Sequence, residues 1–510
     1  MKRKEQETSK LNNCGNTACC SSAMIDEETT MMTTHIVAAL ATPTVKVIIP
    51  TSHPLPSDTS KSPLTSPMEN MDILRLVVSF IGPKHYRFMA VISQSFHAAY
   101  KQEFPKDKTT KLSASNVECA KICWEEMKML STNQQYQMSS SAAAFGSVPA
   151  MQYLRSVHCK WDERTCALAA KNGHLNVLQW CRDNGCPWNK QTCTFAAENG
   201  HLDIFQYARE NGCLWDEQTF ANAARNGHLK ILWVGVMSNV PQLQIECTKQ
   251  FRCLLSYSMG NSIQAVIDLG VIPRFVELLQ NDDDPALQSE VAWVLTYVTS
   301  GTTEQTKVVV DVGAVPVFVR LLMSSNNNVR EEAVWALGNI AGDSLPYRDL
   351  VLQAGAMQPL LSLLHQNSKF RDAAWALSNF CGGKPPPDFN IVAPALPTLV
   401  RLIFSPDEEV STQSCRALSY LSDGFREMIQ AVVDCGVTRR LVELLSNPYP
   451  TVHAPALRSI QNIVTGNDLQ IQCVISSNAL PRLLALLSSP KHEIQKEACQ
   501  TISTITGMWL

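Results

Sequence analysis

Neither sign of charge dominates this chain: its 510 residues hold 43 Lys and Arg against 46 Asp and Glu, a net charge of −3. A protein that coats nucleic acid carries a large basic excess, so that class is excluded for the molecule as a whole. Long apolar runs are missing too. Nothing approaches the ~18 consecutive apolar residues of a membrane span, and the nearest stretch, His35–Leu40, stops before Pro43. Met1-Lys2-Arg3-Lys4-Glu5 has no apolar segment behind it and does not read as a secretory signal. Catalytic signatures are absent as well: no Gly-rich phosphate loop, no His-Glu-x-x-His, no nucleophile on a strand-to-helix turn. Eighteen cysteines are present, but not as facing Cys-x-x-Cys pairs or as pairs followed by spaced histidines. Most sit in apolar helical patterns and read as free thiols in a reducing compartment. The expectation is a soluble, intracellular, non-enzymatic protein that needs no metal and no cofactor, with no membrane or nucleic-acid partner.

What is present divides the chain into four regions. Residues 1–70 are rich in Ser, Thr and Pro, with Pro50, Pro54, Pro56, Pro63 and Pro67 breaking any helix, and read as a disordered tail. Residues 71–140 are helical in pattern, and Met71–Pro83 weakly resembles the opening of an F-box. Residues 141–233 repeat with a step of 27: Ala169-Ala170-Lys171-Asn172-Gly173-His174-Leu175 returns at Ala196–Leu202 and at Ala223–Leu229, and Trp161, Trp188 and Trp215 keep the same step. Ala142-Ala143-Ala144-Phe145-Gly146 is an earlier, decayed copy. Each unit reads as a small-residue helix, an Asn-Gly-His turn and a second apolar helix. Such a unit cannot bury its own face, so copies must stack. The region resembles a degenerate ankyrin array of unknown target, and His174, His201 and His228 read as turn-capping residues rather than metal ligands.

Beyond Trp233 the period lengthens. Trp293, Trp335, Trp375, Arg416, Arg458 and Gln500 follow one another at 42, 40, 41, 42 and 42 residues. Gly270-Val-Ile-Pro-Arg-Phe-Val-Glu-Leu-Leu, Gly313-Ala-Val-Pro-Val-Phe-Val-Arg-Leu-Leu and four further copies run in step with them. A 40–47-residue repeat with two apolar helices and Gly/Pro punctuation is the armadillo class. Residues 234–510 therefore read as an armadillo superhelix of about six units and a partial first one, and the fold class is an all-α helical solenoid.

One helix face stands out. At about 100° per residue, Val329, Ala333, Ala336, Leu337 and Ile340 gather on the face that must be buried, while Glu332, Trp335 and Asn339 fall together opposite. Glu290, Trp293 and Tyr297 repeat this pattern, as do Asp372, Trp375 and Asn379. Stacked helices lie about 8–10 Å apart and an extended peptide advances about 3.3 Å per residue, so a peptide along this strip meets a new Trp every two or three residues. Parallel indoles make slots for Lys or Arg stems, each cation–π contact contributing about 0.5–2 kcal/mol. An Asn amide donates and accepts, which suits a peptide backbone, and the acids select cationic heads. The residues alone point to a groove for an extended basic peptide.

The stretches Val291–Thr306, Ala333–Asp343, Ala374–Asn379 and Asn462–Gly466 are similar to importin alpha, the receptor family for nuclear localisation signals. The resemblance covers residues 234–510. It implies a nuclear-import adaptor for proteins carrying Lys/Arg-rich signals, found in cytoplasm and nucleus. It maps the major signal groove onto Trp293, Trp335 and Trp375 with Asn339 and Asn379. Asp343 would pair an anchoring lysine, and Gly301 and Thr306 would line its pocket. Tyr297 replaces the first Asn, removing one backbone clamp, and an unpaired ligand amide costs about 1–3 kcal/mol. Arg458, Asn462 and Glu497 match a second, minor groove, but Gln500 and Thr504 stand where its Trp and Asn belong. The family's basic segment that recruits importin beta and its last, export-receptor-binding repeats have no counterpart here, so pairing with importin beta is not expected. The alternative is an ankyrin–armadillo interaction scaffold, of which a ubiquitin-ligase substrate adaptor is one form if Met71–Pro83 opens an F-box.

Overall fold

The computed structural model describes residues 131–257, 261–366 and 370–507, with a few positions between 116 and 124. The tail at 1–70 and the F-box-like stretch Met71–Pro83 lie outside the described residues. Every regular element among the described residues is helical, and the helices stack side by side along the chain as a solenoid.

In the first part, paired nine-residue helices recur with the 27-residue step: Glu163–Lys171 with Leu175–Asp183, Lys190–Glu198 with Leu202–Glu210, Glu217–Arg225 with Leu229–Met237. Asp162, Asn189 and Asp216 cap the first helix of each pair, their side chains accepting backbone N–H bonds from Arg164, Gln191 and Thr219. Each Asn-Gly-His turn is built twice over. Gly173 and Gly200 take positive φ, 81° and 76°, which glycine adopts without a Cβ clash. They also seat the next unit's histidine, whose ring lies within 2.8 and 2.6 Å of where a Cβ would stand. His174, His201 and His228 donate from Nε2 to the carbonyls of Ala144, Lys171 and Glu198 at 3.0, 3.2 and 3.1 Å. Each histidine thus ties its unit to the one before. The thiols of Cys159, Cys186 and Cys213 repeat the same logic, donating to the carbonyls of Gln135, Asp162 and Asn189 one unit back.

After the helix Pro241–Tyr257 come six units of three helices. The sequence predicts two helices per unit; a short leading helix is the addition. Thr303–Asp311 is started by a reciprocal capping box at Thr302 and Gln305 and followed by Gly313 in the left-handed region. Asn467 and Gln470 do the same for Asp468–Ser476. These pieces are too short, four to nine residues, to show a clear apolar period. The third helix of each unit is the longest: α1 (Pro285–Thr299), α2 (Asn327–Asp343), α3 (Phe370–Cys381), α4 (Glu408–Leu421), α5 (Pro450–Val464) and α6 (His492–Gly507). Successive members of this set pack against one another. Val329, Ala333, Ala336, Leu337 and Ile340 of α2 are all fully buried, on the face the periodicity assigns to the core.

Candidate functional site

Three of the long helices, α2, α3 and α5, are clamped to their predecessors by an Asn. Asn339 Nδ2 donates to the Thr296 carbonyl at 3.2 Å, Asn379 Nδ2 to the Gly338 carbonyl at 3.0 Å, and Asn462 Nδ2 to the Ser419 carbonyl at 2.8 Å. The amide has two N–H donors and a carbonyl oxygen; Asn339 and Asn462 use Nδ2 a second time, toward Thr299 Oγ1 and Ser422 Oγ at 3.4 and 3.3 Å, so the donor side is spent inside the fold and the amide oxygen is held in a fixed orientation. The clamp always reaches the residue three places after the strip position of the previous helix: Trp293 and Thr296, Trp335 and Gly338, Arg416 and Ser419. This contact ties α2, α3 and α5 to their predecessors in one common register.

Trp335 and Trp375 are half-buried neighbours whose ring centroids lie 5.2 Å apart with planes tilted by 40°. The expectation of open slots between parallel indoles is therefore corrected: the two rings touch, leaving no gap for an aliphatic stem between them. The cause is backbone access. Gly338 and Gly342 carry no side chain, and a Cβ there would stand 2.3 Å from the Trp375 ring and 2.8 Å from Asn379. Both α3 residues lie down on α2 and bring the indoles together. A cation is presented instead with exposed ring surface along the tilted pair.

At the first unit the aromatic and the acid are engaged within the chain. Trp293 stacks on Tyr297, centroids 4.8 Å apart and planes 16° from parallel. Arg252, from the helix Pro241–Tyr257, sits 5.7 Å above the Trp293 ring and donates from Nε to Glu290 Oε2 at 2.5 Å. Glu332 also departs from expectation. It is only 8 % exposed, because α1 lies beside that edge of α2 and Thr296 Oγ1 donates to the Glu332 carbonyl at 3.1 Å. Asp372 remains half-buried in the first turn of α3.

The predicted lysine pocket is rearranged around its acid. Thr306 is fully buried, its hydroxyl donating to the Thr299 carbonyl at 3.3 Å, so it offers nothing to a ligand in this arrangement. Thr303 contacts the acid in its place, donating from Oγ1 to Asp343 Oδ1 at 3.2 Å. Gly301 is exposed beside them. Asp343 Oδ2 is buried and accepts no hydrogen bond. Burial pushes the Asp343 carboxyl above its usual range; the Thr303 bond works against this, and the neighbouring Glu304 charge adds to it.

The minor-groove positions are also occupied. Arg458 pairs with Glu497, and Gln461 Nε2 donates to Gln500 Oε1 at 3.3 Å. Sequence reasoning missed Thr303, Arg252 and the two seating glycines. The Gly338 and Gly342 pair was visible as a spacing of four, one repeat before Trp375 and Asn379.

The armadillo/beta-catenin-like repeat model matches residues 261–300, 302–342, 385–423, 425–465 and 467–507. Residues 261–342 and 385–507 carry armadillo repeats. Over 210 residues the chain is 59% identical to importin subunit alpha-2 of Arabidopsis thaliana, covering 41% of this chain and 39% of the relative. It is 56% identical over 209 residues to importin subunit alpha-1b of Oryza sativa subsp. japonica, covering 40% and 39%. The chain thus spans about two fifths of the length of these relatives. The crystal structure of an engineered protein aligns with a TM-score of 0.53 at 23% identity, over 85% of this chain and 98% of that one, and shows the shared solenoid fold. The matched repeats include five of the six strip helices; α3 lies in the interval 343–384 between them and packs between α2 and α4 in the same stack.

Proposed function

We propose that the armadillo array is a nuclear-import adaptor surface that holds Lys/Arg-rich localisation signals of cargo proteins, with the protein working between cytoplasm and nucleus and catalysing no reaction. The observation that carries this reading is Asp343. A carboxylate oxygen that is buried, accepts no bond and has a raised pKa is an acceptor waiting for a donor, and a lysine ammonium supplies both the charge and the protons. Trp335 and Trp375, further along the strip, provide π faces for a cation's stem and head, and the amide oxygens of Asn339 and Asn379 suit the N–H groups of a peptide backbone. Thr303 orients the carboxylate. The relatives' names, importin subunits alpha, agree with this chemistry.

The test is the double change Trp335→Ala and Trp375→Ala in the full chain. Binding of a labelled Lys/Arg-rich peptide should weaken by roughly tenfold per indole, while the far-ultraviolet circular dichroism stays helical. Unchanged affinity in a folded double variant would remove the strip from the account.

A further inference from the structure

The 27-residue units carry a second chemistry in their thiols. In the repeat register, position 139 returns at 166 and 193, and position 159 returns at 186 and 213. Pairs therefore stand 20 residues apart: Ser139 with Cys159, Cys166 with Cys186, and Cys193 with Cys213. The first pair shows the geometry, with Ser139 Oγ 3.6 Å from Cys159 Sγ. The next two carry sulfur at both positions, and Cys181 adds a further thiol beside Cys166 and Cys186. All of these cysteines are buried. Cys193 Sγ reaches the Cys213 carbonyl at 3.9 Å. Each cluster holds one thiol that ionises readily. Hydrogen bonds from Cys181 and Cys186 hold Cys166 below the usual thiol range against the effect of burial, and the bond with Cys193 does the same for Cys213. Cys381 in α3 and Cys415 in α4 are buried too, but burial pushes both up to about 12, and no hydrogen bond from another thiol reaches them among the described residues. No group of three His, Cys, Asp or Glu among the described residues is arranged to hold a metal ion, which leaves thiol–disulfide chemistry to the clusters.

We infer that these units contain a peroxide-sensitive modification site, in which Cys166 bonds to Cys186 and Cys193 bonds to Cys213. The Cys166 thiolate attacks one oxygen of a peroxide and the O–O bond breaks, giving a sulfenic acid and a hydroxide that takes up the proton Cys166 has lost. The Cys186 sulfur then displaces the sulfenic hydroxyl, which leaves as water with the Cys186 proton. Two thiols and one hydrogen peroxide thus become one disulfide and two waters. Cys213 and Cys193 react in the same way. The protons lost include those that Cys186 and Cys213 donate to the Asp162 and Asn189 carbonyls at 3.5 and 3.2 Å. Oxidation therefore exchanges a tie to the unit before for a covalent staple across the unit's own helix pair. Local opening of such short helices admits a small oxidant, and a reducing compartment returns both clusters to thiols.

The test treats the full chain with hydrogen peroxide under native conditions, blocks remaining thiols with N-ethylmaleimide in denaturant, and maps the digested chain by mass spectrometry. The expected result is a pair of linked peptides, Cys166 with Cys186 and Cys193 with Cys213, each two hydrogens lighter than its thiol form and restored by dithiothreitol. Cys159, Cys381 and Cys415 should stay open to the maleimide. Cys193→Ser should lose the second link alone and leave Cys213 free. Serine already stands at the matching position, Ser139, so the unit accepts it. Each link closes a loop in the unfolded chain, so the thermal midpoint should rise by a few degrees on oxidation, and by about half as much in Cys193→Ser. Thiols that all remain free, linked peptides of any other pairing, or Cys213 bonding elsewhere in Cys193→Ser would overturn the site. Links that form only in the denatured chain would overturn it too.

Discussion

Asp343 ties ligand chemistry to stability. A carboxyl whose pKa is raised in the folded state binds its proton more tightly there than in the unfolded chain. Stability then falls as pH rises from the unfolded carboxylate range through the raised folded value, and the ionised form is a net cost at neutral pH. Asp343→Asn is therefore expected to raise the thermal midpoint at pH 7, and to raise it less at acid pH, where the wild-type group is already neutral. The same change should weaken a Lys-rich peptide by roughly 10- to 100-fold, the worth of a charge-assisted bond. A midpoint that falls with Asn would mean that the buried oxygen is satisfied within the fold. Peptide affinity of the wild type should also drop as pH falls through the Asp343 titration, because the protonated acid no longer attracts an ammonium. None of this was legible in the sequence, which showed an acid at the right spacing but not its burial or its Thr303 partner. Glu332 makes the converse point. A helical wheel treats one helix in isolation, whereas α2 lies between α1 and α3, so its buried arc is wider than its own period shows.

At the scale of the helix, the strip depends on close approach. Gly338→Val puts branches where the Trp375 ring lies 2.3 Å from a Cβ. Overpacking of this kind costs about 1–3 kcal/mol and should displace the indole, seen as a shift in tryptophan emission together with lost peptide binding. Unchanged emission and binding would mean that Trp375 does not rest on α2. In the 27-residue units, His201→Ala removes the bond to the Lys171 carbonyl and should cost about 1 kcal/mol in chemical denaturation, with no effect of added metal. The repeat steps, the Asn-Gly-His turns and the buried face of α2 were readable from sequence, since each is a local pattern repeated in register. The short leading helices were not, because segments of four to nine residues span too few turns for an apolar period to stand out, and two of them, Thr303–Asp311 and Asp468–Ser476, are started by a capping box. Arg252 escaped for another reason: its partners, Glu290 and Trp293, are some forty residues away.

Across the whole array, each unit touches mainly its neighbours, and stability is a sum of unit and interface terms. Phe205→Ala empties a fully buried position in the 27-residue part and should cost about 3–5 kcal/mol there, with peptide affinity at the armadillo strip unchanged. The near-neutral balance of the chain, −3 overall, means that attraction of a basic peptide arises from where the acids sit rather than from their number. The most direct measurement is the anisotropy of a labelled Lys-Lys-Lys-Arg-Lys peptide titrated with the full chain and with Asp343→Lys, at 0.05 M and 0.3 M salt. The account predicts micromolar or tighter binding that weakens with salt and is lost in the variant. Binding of equal strength to both proteins, or none to either, would contradict it.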